Sequence, residues 1–169
     1  MRTRTTHALL LSGLAACFVG CSAPPPAPPP AFDVAGAKAK LDSMNRSYDE
    51  RFRMSDAPYF AARYTTDACV MAPNMPRVCG VSDITAFYWN NGDSKTMALD
   101  IRGEEVTGTA QEITEVGNYR VLDDKGTQLD KGKFIAIYRA DGANWKVHRE
   151  IWNSDLAPTA AADSTIAKK

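Results

Sequence analysis

KGKFIAIYRADGANWKVHREIWNSD, residues 131–155, holds two apolar runs on either side of an Asp141-Gly142 pair. Phe134–Tyr138 combines two isoleucines with two aromatics, and Trp145–Trp152 has a tryptophan at each end. Runs of this kind around Asp-Gly predict an antiparallel hairpin, because Asp-Gly supplies the positive φ that a tight turn requires. Phe134–Tyr138 is apolar at almost every position, which predicts a central strand covered on both faces.

Upstream of the hairpin the chain continues as strands. Met97, Leu99 and Ile101 alternate with Ala98, Asp100 and Arg102, so one face is wet. Val106–Gly108 extends or bulges this strand, Glu112–Val121 predicts the next, and Asp123-Asp124-Lys125-Gly126 a further hairpin turn. Before the strands the period changes. Val34, Ala37, Leu41, Met44, Tyr48 and Phe52 recur at spacings of three and four, the apolar stripe of a long helix. Ser55 is the expected N-cap of a second helix, with Pro58 in its first turn and Tyr59, Phe60 and Tyr64 on its buried side. Ala68–Ala72 predicts a short strand that Pro73 and Pro76 stop. Ser82-Asp83 caps a third helix carrying Ile84, Phe87 and Tyr88, which ends near Asn91-Gly92. Helices first and a meander of strands afterwards predict an α+β domain with a curved antiparallel sheet wrapped around three N-terminal helices.

The ends of the chain read differently. Arg2 and Arg4 precede a short apolar run, Ala8–Leu14, too short to span a bilayer as a helix. Leu14-Ala15-Ala16-Cys17 is similar to a bacterial lipobox, with Phe18-Val19-Gly20-Cys21 as a second candidate. Residues 1–20 are therefore expected to be a lipoprotein signal region, cleaved before Cys17 or Cys21, whose cysteine carries the lipid. Neither cysteine is followed by Asp, which by resemblance to Gram-negative lipoproteins implies the outer membrane, periplasmic side; a plain signal implies release to the periplasm. Residues 22–31, SAPPPAPPPA, form a proline-rich tether, extended at about 3.1 Å per residue. Residues 157–169 are alanine-rich and polar without periodicity, a disordered tail. One domain of roughly 120 residues, Phe32–Leu156, remains, enough for a single core.

With 44% hydrophobic and 24% charged residues the balance is that of a globular protein. Basic and acidic residues number 20 each, and loss of Arg2 and Arg4 leaves 18 against 20. No basic excess exists to neutralise phosphates, which argues against a nucleic-acid partner. The membrane is reached only through the lipid anchor. Cys69 and Cys79 flank a proline-bent excursion, and in an oxidising envelope they predict a disulfide. No phosphate-binding glycine motif, nucleophile elbow or metal-ligand spacing is present, so no cofactor and no metal are expected.

The order of landmarks resembles the nuclear transport factor 2-like superfamily, in its SnoaL-like or ketosteroid-isomerase-like branch. They are Ser55-Asp56, Tyr64-Thr65-Thr66-Asp67-Ala68, Cys79-Gly80, Gly117-Asn118-Tyr119, Lys131-Gly132-Lys133, Asp141-Gly142, Trp145-Lys146-Val147 and Ile151-Trp152-Asn153-Ser154-Asp155. Within that branch the chain is most similar to the domain of unknown function 4440 (DUF4440) family. The resemblance implies a cone of curved sheet around helices, an apolar pocket at the open end, and a homodimer.

Fold does not fix function. In ketosteroid isomerase an Asp base works opposite a Tyr and a protonated Asp. By that resemblance Tyr48 falls at the tyrosine, and its place in the apolar stripe points its hydroxyl into the domain. The base position falls on Ala72, which cannot move a proton, and near the protonated acid only Asp130 precedes an apolar run. His148 is the only histidine beyond the signal region. In an extended strand it shares one face with Glu150 and Trp152, while Val147, Arg149 and Ile151 share the other. Either face can be the one turned to the pocket. Candidate acid–base residues are Tyr48, His148 and Glu150; candidate pocket residues are Tyr48, Tyr64, Trp89 (at the rim), Trp152 and Asn153. Asn153 and Asp155 are also expected to close the sheet edge, and Trp145 to be core. Three functions follow in order: binding of a small apolar ligand, a protein-interaction module using the convex sheet face around Val147 or Ile151, and an isomerase, cyclase or dehydratase using Tyr48 with Glu150 or His148.

Overall fold

A computed structural model of the chain describes residues 31–91 and 96–157. The signal region with Cys17 and Cys21, the proline tether up to Pro30, Gly92 and the tail beyond Ala157 lie outside them.

The elements follow in the order α1 (Val34–Arg53), α2 (Ala57–Arg63), β1 (Tyr64–Met71), β2 (Val78–Cys79), α3 (Val81–Asn91), β3 (Met97–Gly108), β4 (Glu112–Asp123), β5 (Gln128–Asp141) and β6 (Asn144–Ser154). Asp33 starts α1 by accepting the Gly36 N–H at 2.8 Å, and Arg51 and Arg53 complement the helix dipole in its last turn. The buried face of α1 is Ala37, Leu41, Asn45, Tyr48 and Phe52. The expected stripe is therefore present with two departures: Val34 at its start is exposed, and the polar Asn45 is buried where Met44 is half-buried. The cap of α2 is Asp56, not Ser55. Asp56 accepts the Tyr59 N–H at 3.1 Å, whereas Ser55 takes a φ of 53° to break the chain direction between the helices. Strand β1 begins four residues before the expected Ala68, directly from the end of α2.

The six strands form one curved, unclosed sheet in the order β2-β1-β6-β5-β4-β3. The hairpins β3–β4, β4–β5 and β5–β6 are antiparallel as expected, but β1 runs parallel to β6, so the sheet is mixed. Helix α1 lies along β3 and α3 along β1. Strand β5 is central by position, and its inward residues Phe134, Ala136 and Tyr138 are buried. Its outer face is not covered by the described residues. Ile135 is 46% exposed and faces Ile151, 47% exposed, because the helices pack against one face of the sheet alone.

Close backbone approach accounts for one of the glycine landmarks. A Cβ on Gly132 would fall 1.8 Å from the Asn153 carbonyl oxygen, so only glycine lets β5 and β6 pair at this point. The core is one large cluster around Leu41, Val70, Ile84, Ile113, Tyr138 and Val147, plus an aromatic cluster of Tyr48, Phe52 and Phe60. Trp145 belongs to the large cluster, meeting Phe32 edge-on at 6.1 Å, as its pattern predicts.

Cys69 and Cys79 sit opposite each other across β1 and β2 and form the expected disulfide. The bridge closes a ten-position loop, and restricting that loop in the unfolded chain is worth about 2–3 kcal/mol. Reduction, or Cys69→Ala with Cys79→Ala, is expected to lower unfolding free energy by about that amount. Denaturant midpoints with and without reductant measure it, and coincident midpoints would count against a stabilising role.

Candidate functional site

A cavity of about 230 Å³ opens between α1, α3 and the inner face of β3–β6. Its wall is built from the two periodicities the sequence carries. The helices contribute Tyr48, Phe52, Phe87 and Tyr88; the alternation of β3 contributes Met97, Leu99 and Ile101; β5 and β6 contribute Phe134, Tyr138 and Trp152. Tyr88 and Trp152 stack at 6.4 Å with planes 15° apart. On the other face of β3, Asp100 is bound by Arg102 and Arg120.

Polar atoms gather in this apolar surface. Glu150 reaches the cavity from β6, and its Oε2 accepts from the Tyr64 and Tyr88 hydroxyls, each at 3.5 Å. Those two hydroxyls lie 3.3 Å apart. Arg63, 6% exposed, ends α2 and brings its guanidinium to the same cavity, 4.9 Å above the Tyr48 ring. Asn45 joins it to a third charge: the Asn45 side chain donates to Glu115 Oε1 at 2.9 Å and accepts from Arg63 at 3.5 Å. Glu115, fully buried, accepts the Tyr138 hydroxyl on its other oxygen at 2.8 Å. A Cβ on Gly103 would fall 2.0 Å from Glu115 Oε1, so glycine at this bend of β3 makes room for the carboxylate. At the far side, Tyr119 donates to Asp130 at 2.9 Å.

Burial sets the electrostatics. It pushes the phenols of Tyr48, Tyr64, Tyr88 and Tyr138 above the usual tyrosine range, so all four are donors at neutral pH. Burial also raises the carboxyls of Glu150 and Glu115, against the opposing pull of Arg63 and the hydroxyls on Glu150, and of Tyr138, Asn45 and Arg63 on Glu115. A carboxyl raised in the folded state binds its proton more tightly there than when unfolded. Its contribution to stability is therefore lost as pH rises from the ordinary 4.5 through the raised value. Glu150→Gln removes this loss. The variant is expected to exceed the parent in stability at pH about 7.5, and the gap to close below pH about 4. Denaturation at both values tests the sign; a less stable variant at the higher pH contradicts it.

The structure separates the expected site residues. Tyr48, Glu150 and Trp152 line the cavity; Tyr64 sends its hydroxyl to Glu150 while its ring belongs to the core. The expected groupings of β6 residues hold for Glu150 with Trp152 and for Arg149 with Ile151, but not for His148 and Val147. Tyr138 faces Val147 and Ile137 faces Arg149, which leaves His148 as an extra residue in a bulge. The bulge shifts the alternation, so Val147 and Glu150 both point inward while Arg149 and Ile151 point out. His148 is buried outside the cavity, its Nδ1 3.1 Å from Thr65 Oγ1, 3.2 Å from Arg149 Nη1 and 3.4 Å from Asp67. Burial, and then Arg149, lower its pKa. His148 is thus no acid–base candidate for this cavity, and Val147, fully buried, is no part of an outer patch. Trp89 is half-buried and does not line the cavity itself; it packs against Phe60 at 5.0 Å and, at 6.2 Å, against the wall residue Phe52. Asn153 is exposed at the end of β6, an interior strand, and does not line the cavity; its carbonyl accepts from Tyr119, and Asp155 bonds back to Lys131.

Asn45, Arg63 and Glu115 were legible only as exceptions. Asn45 falls four residues after Leu41 in the apolar stripe, Arg63 three after Phe60, and Glu115 two after Ile113. Each is a polar residue on a face whose period demands an apolar one.

No family model matches the chain, and no curated protein matches its sequence. Solved structures do. A nuclear transport factor 2-like superfamily protein from Salmonella enterica serovar Typhimurium aligns with a TM-score of 0.61 at 10% identity, over 77% of this chain and 99% of its own. A ketosteroid isomerase-like protein from Erwinia carotovora atroseptica aligns with 0.56 at 17%, over 71% and 97%. An NTF-2-like protein of unknown function from Shewanella oneidensis gives 0.59 at 14%, over 69% and 98%. At these identities the likeness is one of architecture. The three helices, the curved mixed sheet and these alignments together give this chain the nuclear transport factor 2-like fold.

Proposed function

We propose that this domain is an envelope-tethered binding module of the DUF4440 kind, which takes a small, largely apolar ligand into the cavity between α1, α3 and the sheet. One observation carries the reading: an aromatic and aliphatic wall converges on a few polar atoms, the architecture of a ligand pocket. The lipobox-like Leu14-Ala15-Ala16-Cys17 supports anchoring through Cys17, with Cys21 as the alternative, and the proline run supports a spacer from the outer membrane. Self-association is part of the proposal. Val116, Ile135, Ile151 and Met71 stand opposite one another across β4, β5, β6 and β1, an apolar row on the outer face that a second copy would cover. Sedimentation showing a monomer at all concentrations would remove that part.

A thermal-shift screen of apolar compounds tests the binding reading. A compound at 100 times its Kd stabilises by about 2.7 kcal/mol. At least one should stabilise the protein and fail to stabilise Val121→Phe, which fills the cavity wall; stabilisation of neither, or of both alike, contradicts pocket binding.

Glu150 supports a second reading. A carboxyl with a raised pKa beside two tyrosine hydroxyls has the parts of a proton-transfer site, with Glu150 as base and Tyr88 or Tyr48 as donors to a forming oxyanion. Deuterium exchange at the α-carbon of a cyclic ketone, abolished in Glu150→Gln, is its expected signature. Equal exchange in the variant excludes it.

A further inference from the structure

We propose that the ligand of this cavity carries a carboxylate, and that Arg63 is its anchor; the inference rests on the binding reading above and names its ligand class. Arg63 is a permanent cation, 94% removed from solvent by its 6% exposure, and its Nε and Nη1 have no hydrogen-bond partner among the described residues. Its third nitrogen, Nη2, reaches Asn45 Oδ1 only at 3.5 Å, the outer limit of a hydrogen bond. Buried donors are almost always satisfied, and a buried guanidinium with two idle nitrogens is the exception that asks for an acceptor.

Neither carboxylate near it bonds to the guanidinium. Glu115 spends one oxygen on Asn45 and the other on Tyr138, and Glu150 receives Tyr64 and Tyr88, both on Oε2. The Tyr48 ring lies under the guanidinium at 4.9 Å, which steadies the charge by cation–π attraction but offers no acceptor for an in-plane N–H. Arg63 also lines the cavity itself, so a small rotation of its head brings an N–H onto a molecule held there.

The rest of the cavity selects the body of that molecule. Tyr88, Trp152, Phe134 and Phe87 present flat apolar faces within about 230 Å³, which suits a single aromatic or alicyclic ring. The charge count limits the head group to a monoanion. Among the described lining residues Arg63 is the one cation, with Glu115 already bridged to it through Asn45, so it matches a single negative charge and a phosphate dianion is disfavoured. An acidic ligand beside Glu150 is accommodated when Glu150 holds a proton and donates it to the ligand carboxylate. The predicted class is a ring-bearing monocarboxylic acid.

The test is calorimetric titration of the full chain with benzoate, phenylacetate and cyclohexanecarboxylate, each paired with its uncharged amide. At least one acid is expected to bind ten-fold or more tightly than its amide, with that preference lost in Arg63→Met and partly kept in Arg63→Lys. The acid–amide comparison in the unaltered protein needs no variant, so the proposal stays testable even where Arg63→Met does not fold. Amides binding as well as acids would overturn the carboxylate assignment while leaving the pocket reading intact. Binding of neither acids nor amides would overturn both.

Discussion

Glu115→Ala is expected to lower the unfolding free energy by about 3–5 kcal/mol. Three losses coincide at this site. The Asn45 amide and the Tyr138 hydroxyl, bonded to Glu115 at 2.9 and 2.8 Å, become buried donors without an acceptor. Removal of a fully buried side chain leaves a cavity beside Gly103. Arg63 loses a carboxylate that offsets its charge. Glu115→Gln separates these effects, since it keeps the volume and one acceptor oxygen, and is expected to cost about 1–3 kcal/mol. Guanidinium denaturation of both variants provides the measurement, and a loss under about 1 kcal/mol for the alanine variant would show that the network is not held by this residue.

Phe60→Ala is expected to cost about 3–5 kcal/mol, the range for emptying a buried aromatic site. Phe60 is fully buried and meets five rings: Tyr48 and Trp89 at 5.0 Å, Tyr59 at 5.6 Å, Tyr88 at 6.0 Å and Phe52 at 6.1 Å. Tyr48, Tyr88 and Phe52 are also cavity wall. The substitution should therefore weaken ligand binding as well as stability, because these rings lose the surface that fixes their rotamers. Phe60→Leu, which refills most of the volume, is expected to cost less than half as much. A small loss for Phe60→Ala would mean that α2 is loosely docked on α1 and α3.

The sequence conveys the long elements well because their periods are long and clean. The α1 stripe holds at Ala37, Leu41, Tyr48 and Phe52, with Val34 exposed and Asn45 buried beside the half-buried Met44, and the final hairpin lies where Asp141-Gly142 places it. Two of its errors share a physical origin: each depends on a choice between adjacent residues that local pattern does not make. Ser55 and Asp56 are both good caps, and only the positive φ of Ser55 decides between them. His148 has strand propensity on both sides, and only the bulge forced between β5 and β6 turns it away from Glu150. The parallel pairing of β1 with β6 is a tertiary matter with no local signal. The site was half legible. Tyr48 and Trp152 announce themselves as apolar positions with polar tips, whereas Arg63 and Glu115 look like solvated charges until the fold closes around them.

Methyl-resolved NMR of the full chain during titration with phenylacetate and its amide tests the central claim, that this domain works through its inner cavity. Met97, Leu99, Ile101 and Val121 report on the cavity; Ile135 and Ile151 report on the outer face. The account predicts saturable shifts at the first four with the last two unmoved. Shifts confined to Ile135 and Ile151, or no shift at any of the six, would contradict it.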